Sequence, residues 1–171
     1  SFLGVNSLAY YDIAEKISIA TKIPIQLVSK ALFPFYSKRK NVKNSSFILK
    51  ILFFCSVIYT VIICLLGPFM LKLMGIKQLG SSLFVFYILS LSIPFVLSGI
   101  YFIDLGLVIN NKLKEIINIR IKTLTFYIVF LLIYLLTNDN YIPEIFASIY
   151  LLSEIYVSYI SYLKNVYYPH L

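Results

Sequence analysis

Tryptophan is absent, histidine occurs once, and charge is scarce: 13% of the 171 residues are charged and only 7 are acidic. Globular domains carry about a quarter charged residues, so this supply is too thin to cover a soluble surface. The single histidine, His170 near the carboxyl end, has no imidazole partner for a metal site or for acid–base work. The few glycines form no phosphate-cradling loop, and no nucleophile is spaced with a base. Cys55 and Cys64 lie in one apolar run. On a helix they face opposite ways, roughly 13 Å apart along the axis, too far for a disulfide. They read as small apolar residues. The expectation is a protein that is not an enzyme, with no metal and no cofactor.

What is present is hydrophobic length. Sixty per cent of residues are hydrophobic and the mean hydropathy is +0.89. A bilayer-crossing helix needs about 20 apolar residues. Five segments meet the pattern: 7–36, 47–74, 82–109, 117–137 and 141–164. Strands are disfavoured, because barrel strands are short and alternate in polarity. The predicted class is all-α, an integral membrane bundle of about five transmembrane helices forming a single membrane domain over 1–171. The net charge of +8 does not point to nucleic acid, since the lysines sit between apolar runs as membrane-flanking charges do. The chain begins at Ser1 and reads as a piece of a longer one, without a visible signal peptide.

Base-rich and base-poor connections alternate. Lys38, Arg39, Lys40 and Lys43 lie between segments one and two, and Lys112, Lys114, Arg120 and Lys122 between three and four. The other two connections hold Lys72 and Lys77, and Asp139 with no base. The positive-inside rule then places the basic loops and the carboxyl end in the cytoplasm. Asn44-Ser45-Ser46 matches a glycosylation acceptor, but this topology puts it inside. Pro24, Pro68, Pro94, Gly67 and Gly99 punctuate the spans. They are either hinges or the ordinary Pro and Gly content of membrane helices, and Pro94 with Gly99 is expected to bend the third.

Segment one is amphipathic. Glu15, Lys22 and Gln26 fall within about 40° of one another on a helical wheel, with Asp12 flanking and Lys16 at the edge. Ionisable groups at membrane depth face a bundle interior or a wet cavity. A helix lying flat on the surface, or charges snorkelling from its ends, would also account for the stripe. Cavity lining is the expectation for Lys22, which lies midway. Segment five adds Glu154, with Ser158 and Ser161 at helical spacing. This is either a second cavity wall or a small, polar packing face. Asp104, near the end of segment three, is expected to reach water.

The stretch GVNSLAYYDIAEKISIATKIPIQLVSKALFPFYSKRK resembles the helix that follows the middle of bacterial polysaccharide flippases. These are the O-antigen and capsule exporters of the multidrug/oligosaccharidyl-lipid/polysaccharide superfamily. Tyr10, Tyr11, Asp12, Lys16, Ile17, Phe33 and Pro34 carry the likeness, with Gly67, the Pro94 helix and Asn110 to Lys112 further on. The resemblance implies that the five spans correspond to helices eight to twelve of a two-lobe, twelve-helix transporter fold. It implies an inner-membrane location and a lipid-linked oligosaccharide, carried on undecaprenyl pyrophosphate, as the substrate. It also implies that the amino-terminal half of the transporter is a needed partner. A drug/cation antiporter of the same superfamily or an inactive fragment are the alternatives. The mixed charges of segment one, with Lys22 and Lys30 basic, suit an anionic pyrophosphate better than a cation.

Overall fold

A computed structural model describes residues 2–38, 45–76, 80–108, 111–137 and 142–167, and every element among them is helical. Helix α1 spans Phe2–Lys38, α2 Ser45–Leu73, α3 Gly80–Leu91 and α4 Ile93–Ile100. A π-helical segment, Tyr101–Val108, continues α4, and α5 (Leu113–Thr137) and α6 (Pro143–Tyr167) follow. α3, α4 and the π segment together make the third of five long helices. The predicted all-helical bundle is therefore the observed one. Arg39, Lys40, Lys43, Asn44, Lys77, Asn110, Asp139 and His170 lie outside the described residues.

Four of the five helices are long and apolar enough to cross a membrane: Leu49–Leu73, Ser82–Val108, Leu113–Leu136 and Pro143–Lys164. α1 is not among them, because Asp12, Glu15, Lys16, Lys22 and Lys30 interrupt its apolar character. α1 nonetheless belongs to the bundle. Ala14 and Ile17 pack with Val85, Phe86 and Leu89, and further along Ile25 packs with Ile93 and Leu97. α1 thus runs parallel to the third helix and beside most of its length, an arrangement that a helix lying flat on the surface would not have.

The remaining helices alternate in direction. α2 is antiparallel to the third helix: its early Leu52 packs at Ile93 and Leu97, and its late Gly67 lies against Phe86. α6 is parallel to it, with Ala147 in the Phe86 cluster and Ser158 bonded to Ser98. α5 is antiparallel to α6, since Tyr134 meets Phe146 while Phe126 stacks on Tyr156. The third helix is the centre of the bundle. α2 and α5 turn apolar faces outward, with Leu65, Phe54 and Leu136 largely exposed, as a lipid-facing surface requires.

Local sequence explains the irregularities. Pro94 has no N–H to donate, which is harmless in the first turn of a helix. α4 begins one residue before it, and the break falls at Ser92, whose hydroxyl donates to the Leu89 carbonyl at 2.6 Å. The third helix is therefore interrupted just before Pro94 and widened just after Gly99. α2 ends at Gly75, which takes a φ of +82°. There Gly75 N–H bonds Lys72 O and Ile76 N–H bonds Leu71 O, a glycine-capped end whose apolar pair, Leu71 and Ile76, is buried. Asn111, at φ +54°, plays the same role beyond the π segment, where Lys112 N–H bonds Leu107 O. Close approach of helices substitutes for the hydrophobic drive that lipid removes. A Cβ on Gly67 would lie 2.6 Å from Phe86 Cε1.

Candidate functional site

Lys22 lies on the inward face of α1 with Ser18, Thr21 and Ile25, and it is 6% exposed. Pro24 removes an amide from the next turn and crowds the carbonyls behind it. Tyr59 of α2 donates to one of these, Thr21 O, at 2.9 Å, and the Thr21 hydroxyl donates to Ser18 O at 2.8 Å. Neighbouring side chains thus anchor the α1 backbone beside Lys22, as membrane helices with internal proline require.

The Lys22 ammonium crosses to α6. Its Nζ donates to Tyr150 Oη at 3.2 Å and sits 4.5 Å from the centre of the same ring. One turn on lies Glu154, which the i, i+4 spacing places on the same side of α6 and which borders the same cavity. Lys22 and Tyr150 form one hydrogen-bonded pair between α1 and α6.

That pair borders a cavity of about 250 Å³. α1 contributes Ile19, Lys22 and Gln26, α5 contributes Arg120, and α6 contributes Tyr150, Glu154 and Val157. α4 and the π segment contribute the apolar Val96, Ile100 and Ile103, and Gly99. A Cβ there would be 3.4 Å from Val157 Cγ1, so glycine lets α4 and α6 close up behind the cavity. The adjacent Ser98 locks this contact: its hydroxyl donates to Phe95 O at 2.9 Å, leaving Ser158 to donate to Ser98 Oγ at 2.6 Å. Ser158 thus belongs to the packing face.

Lys22, Gln26 and Glu154 are brought together at one cavity. Asp12 and Lys16 are not. They pair with each other at 2.6 Å on the outer face of α1, with side chains 54% and 71% exposed. Their i, i+4 spacing makes this local pairing available without any tertiary partner. Glu15 is half-buried and within electrostatic reach of Lys22, Tyr127 and Tyr150, but it does not line the cavity. Asp104 is half-buried and lies within electrostatic reach of Arg120 and Lys30.

Two cavity residues went unnoticed in the sequence. Arg120 was counted with a basic connection, yet it lies two turns inside α5. Tyr150 was not singled out, although its spacing from Glu154 places a phenol and a carboxylate on one side of α6. Among the described residues no three His, Cys, Asp or Glu side chains gather where they could hold a metal ion.

The chain matches no protein-family model, no curated protein and no solved structure. Its fold and hydropathy define a multi-pass helical membrane protein, with a charged cavity between α1, α5 and α6.

Proposed function

We propose that this bundle forms one wall of a transporter that flips an undecaprenyl-pyrophosphate-linked oligosaccharide across the bacterial inner membrane, for O-antigen or capsule synthesis. The observation that carries the reading is the placement of Lys22 and Arg120 in one cavity within a membrane bundle. Cations at that depth are kept where an anion or a wet path uses them. A pyrophosphate diester offers two negative charges and several acceptor oxygens. Arg120 suits these bidentately, Lys22 as a point charge. Gln26 and Tyr150 add neutral polar groups at the same wall. The likeness of the first helix to polysaccharide flippases points the same way, and the partner completing the path would be the amino-terminal half of such a transporter.

Glu154 favours a second reading, a drug or cation antiporter, because an acid in the cavity would hold a cation. Two cations against one lining acid weigh against it. Replacement of Lys22 in the complete transporter separates these readings. Under the flippase reading Lys22→Arg keeps glycan export, while Lys22→Gln and Lys22→Glu lose it at unchanged protein level. Normal export by Lys22→Gln would remove the lysine from the site, and cation-dependent drug efflux would replace the reading altogether.

A further inference from the structure

The geometry points to a lipid track. The cleft between α1 and α5 takes the phosphodiester headgroup of an anionic glycerophospholipid from the surrounding bilayer, with the acyl tails staying outside, and lets it cross between the leaflets. This activity shares the cavity of the pyrophosphate reading, but neither its cargo nor its need for a second half of a transporter.

The cavity opens sideways. Its buried lining, Gly99, Ile103 and Val157, forms a floor on the third helix and α6. Its exposed lining lies at the rims, with Ile19 and Gln26 on α1 and Arg120 on α5. Ile19 and Gln26 stand near the middle of a 37-residue helix, so the opening is at membrane depth and meets lipid.

The rims carry both kinds of surface that a phospholipid needs. Asp12, Lys16, Gln26 and Lys30 follow one exposed stripe of α1, with Ile19 and Ile23 between them. From Asp12 to Lys30 the stripe covers about 27 Å, close to the ~30 Å of a hydrocarbon core. Charges exposed along it are costly against acyl chains and call for water. On the other rim Arg120 and Lys122 are exposed. The run without charge that follows, Thr123 to Leu136, spans only about 21 Å. That is short of the core thickness, so headgroups and water come closer to the cavity there. Beside these polar groups stand the exposed Ile23 and Leu27 of α1 and Ile121 and Leu124 of α5, where acyl tails can pack. Midway sit the two cations, Lys22 against the Tyr150 ring and Arg120 at the rim. Two cations against one lining acid leave the cavity net positive, complementary to the single negative charge of a phosphodiester. Arg120 can fork over two of its oxygens. The headgroup thus gains charge-assisted hydrogen bonds at the depth where crossing is hardest. No covalent bond changes.

The test is a scrambling assay on the full chain in vesicles of phosphatidylethanolamine and phosphatidylglycerol. NBD-labelled phosphatidylglycerol occupies both leaflets, and dithionite is added outside. Without crossing, only the outer leaflet bleaches. With this chain, bleaching should proceed to the inner leaflet, while a soluble NBD dye trapped in the lumen stays protected. Arg120→Gln alters an exposed side chain and should slow inner-leaflet bleaching about tenfold, the equivalent of one charge-assisted hydrogen bond. Ile19→Trp narrows the opening from an exposed position and should slow it as well. Lys114→Gln, exposed but outside the cavity, should not. An unbleached inner leaflet overturns the inference and gives the charged stripe to a protein partner instead. Equal rates in the unaltered chain, Arg120→Gln and Ile19→Trp overturn it too, because crossing then bypasses the cleft, and so does bleaching of the trapped dye. The vesicles contain no glycan, so failure here leaves the pyrophosphate reading to its own export test, and failure there leaves this activity standing.

Discussion

Lys22 of the first helix and Tyr150 of the last meet at 3.2 Å, ammonium to phenol oxygen, although 128 positions separate them in the chain. The pair closes the bundle across its width, and it does so with a charge. A phenylalanine at 150 would keep the ring beneath the ammonium and remove only the oxygen. Leaving a buried donor unsatisfied costs about 1–3 kcal/mol. Tyr150→Phe is therefore expected to lower unfolding free energy in mild detergent by about 1–2 kcal/mol. Unaltered stability would mean that the ring face alone holds the lysine.

Gly67 is where α2 comes nearest the core. Alanine is the better helix former by about 1 kcal/mol, yet its methyl would meet Phe86, which is fully buried and packed from all sides. Overpacking of this kind costs about 1–3 kcal/mol, so Gly67→Ala should destabilise despite its propensity. Gly80→Ala is the matched control, because nothing lies within 4 Å of the added carbon. Equal effects of the two substitutions would show that propensity and not the Phe86 contact governs.

Ser98 and Ser158 join α4 to α6 by a 2.6 Å hydrogen bond next to Gly99. Hydrogen bonds between membrane helices couple by about 0.6 kcal/mol in double-mutant cycles. The cycle Ser98→Ala, Ser158→Ala should return a favourable coupling of that order. A coupling of zero would assign the close helix contact wholly to Gly99 and Val157.

Helix content and the number of long helices were legible because apolar length is written locally. Three things were not. A bend at Pro94 with Gly99 was expected, but not that the interruption falls at Ser92: a proline is comfortable inside a first turn, so the helix restarts around it and the break lies upstream. The polar stripe of α1 was read as one face, whereas Asp12 and Lys16 satisfy each other outside and only Lys22 and Gln26 reach the cavity. Periodicity fixes angles about a helix axis, not which neighbour waits at each angle. Arg120 shows the limit most clearly: it was counted with the basic residues around it, and only the packing of α5 on α6 shows that its exposed side chain also borders the cavity.

The direction of the chain gives the last prediction. α1, the third helix and α6 run parallel, while α2 and α5 run against them. The carboxyl ends of α1, of the π segment and of α6 therefore share one end of the bundle. Lys112, Lys114 and Lys164 belong to that end, where Lys164 pairs with Glu115 at 2.9 Å. The opposite end, among described residues, offers Lys72 against Glu144. Lysine and arginine near span ends stay on the cytoplasmic side, so the Lys164 end should lie in the cytoplasm. Reporters fused after Asn44 and after Leu171 should both read inside, and one fused after Asn138 outside. The two possible failures mean different things. If all three readings invert together, the fold stands and the orientation is reversed. If Asn44 and Asn138 read on the same side, α1 and α6 cannot both run beside the third helix through the membrane, and the parallel arrangement that brings Lys22 to Tyr150 would be lost with it.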